Sequence, residues 1–567
     1  EKTHKLHNHI QEIIVQNFVP KPNTKMHSAP ELNFTELLWT IAATRIIFGS
    51  KMSIQVPPNL NSGRLKALLG SGINDWGGVS PVTPDHVNPE SPWPELEHLR
   101  KETELAGYSL VERLTIYPKF IANRSEWLEP KLFKPVLNHA DASGLARTDD
   151  WSAGNSSSKI KPREFMKIHS TANQRIQSSV EKAVNGDRLD EYEITNLFSA
   201  RGINFDFICK AANDLRESTV GNTIHYVVNR NINYTNMCTY RCSFCAFSKG
   251  KGRNSLRGKS YLLDMDEIAR RSIEAWQRGA TEVCLQGGIH PSFNGDTYLE
   301  ICKTIKSAAP NLHIHAFSPL EISHGAHTAG LKISTYLEQL KNAGLGTLPG
   351  TAAEILDDSI RELLCANKVT TEEWINVIST AHEVGLKTTS TIMFGHIETP
   401  DSWAKHLLAL RDLQKKSGGI TEFVPLPFVH MEAPMYLEGK ARPGPTWHEV
   451  VLMHAISRLV LNPLIPNIQV SWVKLGSEGA AACLNAGAND LGGTLMNESI
   501  SRAAGADIGQ EFGPNEMDNL ILSINRTPKQ RTTLYKKPNS LQEKNSYHAS
   551  NLLPLYNRPA RALKIAS

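Results

Sequence analysis

An internal repeat constrains this chain more than any other feature. The segment FVPKPNTKM, Phe18 to Met26, returns as FVPLPFVHM, Phe423 to Met431. ELLWTIAATR (Glu36 to Arg45) returns as EVVLMHAISR (Glu449 to Arg458), and SIQV ending at Val56 as NIQV ending at Val470. GINDWGGVS (Gly72 to Ser80) returns as GANDLGGTL (Gly487 to Leu495). Four matches stand in one order at offsets of 405 to 415, far longer than a solenoid period. They describe two copies of one domain, the second preceded by far more chain than the first.

In the second copy, short runs rich in β-branched and aromatic residues alternate with helical patterns. Strands are predicted at 223–229, 281–286, 311–317, 345–350, 387–394, 420–428, 467–472 and 489–495. Helices are predicted at 264–278 and 370–385, the latter closed by Gly385. Eight strands alternating with helices predict an α/β fold, a (β/α)8 TIM-like barrel over 223–530. Residues 1–150 hold only three such units, with strands near 13–18, 53–58 and 74–80, and three units leave sheet edges uncovered. This part is expected to be the truncated end of a second barrel, unstable without further residues. Residues 151–164 are predicted to be a linker, 165–222 a helical extension of the second half, and 531–567 a basic, mobile tail.

Composition narrows the setting. The longest apolar stretch, Val450 to Ile465, is broken by His454, Ser457, Arg458 and Asn462, so no membrane span is expected. The formal charge of +4 conceals nine basic residues and one acid from Asn525 to Ser567, so the body is acidic and no nucleic-acid partner is expected. No signal-peptide pattern opens the chain. The eight cysteines are absent from residues 1–208, and three of them crowd into 238–245. That is the usage of an intracellular, cytoplasmic metal protein rather than a secreted disulfide framework.

CTYRCSFC places Cys238, Cys242 and Cys245 directly after the first strand of the second copy. Three thiolates on one short loop are soft ligands suited to an iron–sulfur cluster or to zinc. A structural zinc site asks for a fourth ligand, and none is near in sequence; a metal-free loop is the remaining alternative. The spacing resembles the signature of the radical S-adenosylmethionine superfamily. That resemblance implies a 4Fe–4S cluster held by the three cysteines, with S-adenosylmethionine at the open iron. It further implies Phe244 against adenine and Gly287 and Gly288 of QGGIHP at the methionine amino group. Ser318 and Glu354, at the ends of later strands, are candidates for binding nucleotide or substrate, with helix capping as the alternative.

Several segments together are similar to the tyrosine-using half of the FO synthase family: VVNRNINYTNMCTYRCSFCAFS (227–248), HAFSPLE (315–321), LPGTAAEIL (348–356) and TIMFGHIET (391–399). The resemblance covers about 190–535. It implies transfer of the 4-hydroxybenzyl group of L-tyrosine to 5-amino-6-(D-ribitylamino)uracil in deazaflavin (coenzyme F420 precursor) biosynthesis, with an electron donor as partner. The first copy resembles the end of the partner half, the deazariboflavin synthase, so a complete partner synthase is a further expected partner. His290, Thr391, His396 and Glu398 lie at strand ends and are expected to contact uracil or tyrosine. A futalosine-route radical enzyme of the menaquinone pathway and a non-catalytic scaffold are the alternatives.

Overall fold

A computed structural model of the chain describes residues 1–158, 160, 172–249 and 259–557. It divides into two compact units, Glu1–Ala122 and Asn123–Ser567.

In the second unit, six parallel strands run in sequence order: β4 (Asn229–Ile232), β5 (Glu282–Leu285), β6 (His313–His315), β7 (Thr347–Leu348), β8 (Lys387–Phe394) and β9 (Ile420–Pro427). Parallel bridges from Phe423 to Ile468 and from Gln469 to Asp490 carry the sheet on to β10 (Asp490–Gly493). β10 pairs with β3 (Thr223–Val227), which passes through Val228 into β4. The eight predicted strand positions therefore follow one another round a curled parallel sheet, the seventh reduced to bridges. Predicted helices form as Met265–Gln277 and Thr371–Glu383, the first capped by Asp264 and the second by a Thr370–Glu373 capping box. Gly385, at φ +81°, ends the latter. The predicted helical extension appears as Gln174–Val184, Glu191–Phe198 and Ile203–Val220. Its start at 165 lies outside the described residues.

Two boundaries differ from the sequence reading. Residues 123–150 belong with the barrel: the Ala142 N–H donates to Glu449 at 2.6 Å, and Arg147 donates to the Gly444 carbonyl at 3.0 Å. Part of the predicted linker is also packed there, with the Gly154 N–H bonded to the Lys474 carbonyl at 2.7 Å. The basic tail is the second difference. Residues 527–531 form β11 on the free edge of β3, and Ser540–Tyr547 is a helix bonded through Gln542 to the Trp276 and Ala280 carbonyls. Its composition reads as mobile, but Arg531 is buried between Asp490 and Glu422 at the base of the sheet.

The first unit has its own apolar core, including Leu37, Ile41, Ile54, Leu68 and Trp76. Only β1 (Glu12–Ile14) and β2 (Ser53–Gln55) pair as strands, and a parallel bridge from Gln55 to Asp75 marks the third position. The bonding inside this unit repeats that of the second. Arg45 donates to the Gly72 carbonyl at 2.7 Å and to Asn74 at 2.8 Å; Arg458 donates to the Gly487 carbonyl at 2.8 Å and to Asn489 at 2.6 Å. Arg113 donates to Asp75 at 2.6 Å, as Arg531 does to Asp490 at 2.6 Å. The Tyr117 hydroxyl reaches Glu12 and Asp75 at 2.6 and 2.8 Å; the Tyr535 hydroxyl reaches Glu422 and Asp490 at 2.7 and 3.0 Å. Each guanidinium lies 4.2 Å over its own tyrosine ring.

Candidate active site at the mouth of the barrel

The cysteine loop follows β4 at the carboxyl ends of the strands, where barrels of this class carry their reactive groups. It is tied to the loop after β5. The Gly288 N–H donates to the Thr235 carbonyl at 3.0 Å, and the Thr239 N–H to the Ile289 carbonyl at 2.9 Å. A Cβ on Gly288 would lie 2.2 Å from the Met237 carbonyl oxygen, and one on Gly287 2.2 Å from the Tyr234 ring. These two glycines are needed for the two loops to meet at all. Their close approach to the cysteine loop was not part of the sequence reading.

Two of the thiols accept backbone hydrogen bonds. The Ile289 N–H points at Cys238 Sγ at 3.3 Å, and the Ser248 N–H at Cys245 Sγ at 3.4 Å. Backbone N–H groups aimed at sulfur stabilise thiolate ligands and tune iron–sulfur clusters. Cys242 packs among Leu364, Cys365, Phe428 and Met435, and burial pushes its thiol up to about 12. Burial raises Cys245 as well. Among the described residues, no three His, Cys, Asp or Glu side chains are placed to hold a single metal ion. A 4Fe–4S cube takes each thiolate on a different iron, so the donor set fits such a cluster.

Lys368 was not singled out in the sequence. Its ammonium lies 2.8 Å from Glu354 and 5.3 Å from the centre of the Phe244 ring. Burial works against both charges, yet Lys368 holds the Glu354 carboxyl below its ordinary value, and Glu354 with Cys242 holds Lys368 above its own. Glu354 and Ala352 sit at φ +44° and +60°, strained backbone at the end of β7. Phe244, Glu354 and Lys368 thus gather beside Cys242.

The other named residues have visible packing tasks. Ser318 caps the helix Pro319–Ala329 in a capping box with Glu321, and Tyr234 donates to the same carboxylate. His290 is buried, its Nδ1 2.7 Å from Ser292 Oγ, and Thr391 donates to the Gly350 carbonyl at 2.9 Å. His396 and Glu398 are fully enclosed. Glu398 accepts from the backbone of Gly395, from His396 and Ile397 at 2.9 Å each, and from Trp403 at 3.0 Å. Burial opposes its charge, but His396 and Arg442 hold its carboxyl well below the ordinary range. The structure gives His396 and Glu398 the work of shaping the loop after β8, which a polar strand end cannot reveal in sequence.

Comparison with known proteins bears on this geometry. The sequence profile of the Radical SAM superfamily matches residues 232–410, and that of the CofH/MqnC C-terminal region matches 417–544. The chain is 42% identical over 93% of its length to an FO synthase of Streptomyces avermitilis, covering 66% of that protein. It is 50% identical, over 58% of its length and 88% of the relative, to a 5-amino-6-(D-ribitylamino)uracil–L-tyrosine 4-hydroxyphenyl transferase of Methanopyrus kandleri. The chain belongs to the FO synthase family of radical SAM enzymes. It spans about two thirds of the FO synthases it matches. The FeFe-hydrogenase maturase HydG of Carboxydothermus hydrogenoformans shares the fold, with a TM-score of 0.50 at 17% identity over 66% of this chain and 83% of that one. As a radical SAM enzyme, the chain uses a 4Fe–4S cluster and S-adenosylmethionine. No helix among the described residues is long and apolar enough to cross a membrane.

Proposed function

We propose that the second unit joins the 4-hydroxybenzyl group of L-tyrosine to 5-amino-6-(D-ribitylamino)uracil, a step toward the deazaflavin of coenzyme F420. The observation that carries the reading is the cysteine loop locked onto the Gly287–Gly288 loop, in a chain 50% identical over 58% of its length to a transferase of that name. Cys238, Cys242 and Cys245 would hold the cluster, with Phe244, Gly287, Gly288 and the Glu354–Lys368 pair bordering the nucleotide. When bound, cluster and nucleotide supply a one-electron reductive cleavage and a hydrogen-abstracting radical; the electron comes from a separate donor. Once a hydrogen atom is taken from tyrosine, its Cα–Cβ bond breaks and the amino-acid end leaves as a glycine-derived imine. The 4-hydroxybenzyl radical adds to C5 of the uracil, and the adduct radical closes by losing one electron, returned to the donor, and the proton of its 6-amino nitrogen. The chain's own contribution is to hold both substrates at the barrel mouth and exclude water.

The first unit supports a second proposal, that it is the closing third of a partner barrel of the deazariboflavin-synthase type. Its paired bonds at Arg45, Arg113 and Tyr117 duplicate those of the complete barrel's last strands. With no cysteine in residues 1–208, it brings no thiol ligands of its own.

The test of the transferase reading is release of 5′-deoxyadenosine by the anaerobically reconstituted, reduced chain. Release that depends on tyrosine supports the reading; release with a futalosine-derived substrate but not with tyrosine contradicts it.

A further inference from the structure

Positive charge is concentrated in this chain where the cluster ligands are. From Cys238 to Lys259 the sequence holds six basic residues and no acid, in a body that is otherwise acidic. Three of the six, Lys251, Arg253 and Arg257, lie outside the described residues, and Lys249 and Lys259 stand on either side of them. Asn236 fastens both lysines to the cysteine loop. Its carbonyl accepts from the Lys249 N–H at 2.7 Å, its Nδ2 donates to the Lys259 carbonyl at 3.0 Å, and its Oδ1 accepts from the Tyr261 N–H at 2.9 Å. Asn236 stands two residues before Cys238, so the basic segment leaves and rejoins the fold beside the first cluster ligand.

Both lysines line a cavity of about 480 Å³ whose wall includes Phe247, two residues beyond Cys245. Arg502 joins them from the turn Ile500–Ala503, and no carboxylate of the described residues lines this cavity. Arg271 is there too, but Glu267 holds it at 2.7 Å. Lys259 and Arg502 are exposed, so they present their charge to solvent rather than to an enclosed ligand. Arg502 donates to Gln510 at 2.5 Å, an uncharged partner that leaves its charge in place. A small anion meets only the cations at the cavity. A basic segment of this length sets up a field reaching about 8 Å into physiological salt, and such a field steers a large partner of opposite sign.

We infer that the face bearing Lys259 and Arg502 is the docking surface of the electron donor, an acidic carrier protein of the flavin or iron–sulfur class. A cluster on Cys238, Cys242 and Cys245 needs one electron from outside for each reductive cleavage. Docking here brings the carrier against the loop that holds the cluster. The carrier is oxidised by one electron and the cluster reduced by one, with no bond made or broken. This holds whichever substrates are joined, since it uses the cluster alone.

The experiment mixes the full reconstituted chain in a stopped-flow cell with reduced flavodoxin, an acidic flavin carrier, or with reduced methyl viologen, a small cationic reductant. Bleaching of the cluster band gives the rate, and flavodoxin binding is titrated calorimetrically in parallel. In the double variant Lys259→Glu, Arg502→Glu, reduction by flavodoxin is expected to slow about tenfold or more and Kd to rise as much, with iron content unchanged and no slowing with methyl viologen. Raising salt from about 0.05 to about 0.5 M slows the flavodoxin reaction of wild type more than that of the variant. The pair Lys259→Gln, Arg502→Gln, which removes charge without reversing it, gives an intermediate loss. Equal slowing with both reductants, or an unchanged flavodoxin rate and Kd, overturns the assignment. Saturable binding of inorganic phosphate that the charge-reversed variant loses while its flavodoxin rate stays normal also overturns it, and marks a small-anion pocket instead. If the charge-reversed variant fails to load iron, the Gln pair decides, and an unchanged flavodoxin rate and Kd overturn the assignment equally. A chain that flavodoxin reduces yet that makes no adduct counts against the transferase reading alone.

Discussion

At the scale of single residues, the account turns on three thiols and the groups that hold them. Cys238→Ala, Cys242→Ala or Cys245→Ala should each abolish cluster loading and deoxyadenosine release, because each removes one of three protein ligands. Cys302→Ala should leave both intact, since Cys302 is buried within the helix Gly295–Ala308; iron content and the visible absorption band decide. Burial makes a further prediction. With its thiol pushed up to about 12, Cys242 of the folded apo chain should react with iodoacetamide at pH 8 at least ~10-fold more slowly than in urea, because the thiolate is the nucleophile. Peptide mass spectrometry reads the rate, and equal rates in the two conditions would refute this environment. The cysteine loop stood out in sequence because three soft donors on eight positions have few other uses. Lys368 did not: it stands between two helices in no motif, and only folding brings it against Glu354 and Phe244. The loop-bracing bonds of His396 and Glu398 were not legible either, since position at a barrel mouth does not distinguish a ligand from a loop brace.

At the scale of elements, the last strand contradicts its composition. Asn525 to Ser567 is basic and polar, yet Arg531 bonds Asp490 at 2.6 Å and Glu422 at 2.8 Å, and Thr533 bonds Glu282 at 2.7 Å, all at the base of the barrel. Removing one partner of a buried pair leaves an uncompensated charge, so Arg531→Leu should cost about 3–5 kcal/mol in chemical denaturation. A loss below about 1 kcal/mol, the value of an exposed pair, would show that the base is open to water. The same network sets a pH dependence. Burial, with a contribution from Asp490 and against the pull of Arg531, pushes the Glu422 carboxyl up to about 7. The folded chain then holds a proton that the unfolded chain has released, so this contribution to stability is present below about pH 4.5 and is lost as pH rises through about 7. Glu422→Gln should flatten that part of the profile; a profile unchanged by the substitution would contradict the assignment. Two residues four apart, Arg531 and Tyr535, are too sparse a pattern to read as a lock in one copy. Arg113 and Tyr117 make the same bonds in the other, which shows the pattern belongs to the fold.

At the scale of the whole molecule, the alternation of apolar runs with helical patterns marked the eight strand positions of the second unit and the three of the first, while the boundary between the units moved from 150 to 122. Linear similarity ends near Ser80, and the return of 123–150 to the barrel depends on contacts such as Ala142 to Glu449 that no local pattern announces. The helix Phe34–Phe48 leaves Trp39 72% and Ile46 82% exposed, whereas Leu452 and Leu459, at the matching positions of the second copy, are 0% exposed. Two large apolar side chains of the first unit are thus open to solvent on a helix whose counterpart is enclosed. Deleting residues 1–122 should leave the tyrosine-dependent step within about twofold, since the second unit has its own core. Loss of activity with the cluster still loaded would show that the first unit contributes to the site.

The most direct test of the central claim follows the carbon. The reconstituted chain is given ring-labelled tyrosine, 5-amino-6-(D-ribitylamino)uracil, S-adenosylmethionine and reductant without oxygen, and the products are separated by mass. The account predicts an adduct carrying the intact labelled 4-hydroxybenzyl group, and no deazaflavin fluorescence until a complete partner synthase is added. Labelled tyrosine left untouched by a chain that has loaded its cluster and cleaves S-adenosylmethionine would contradict it.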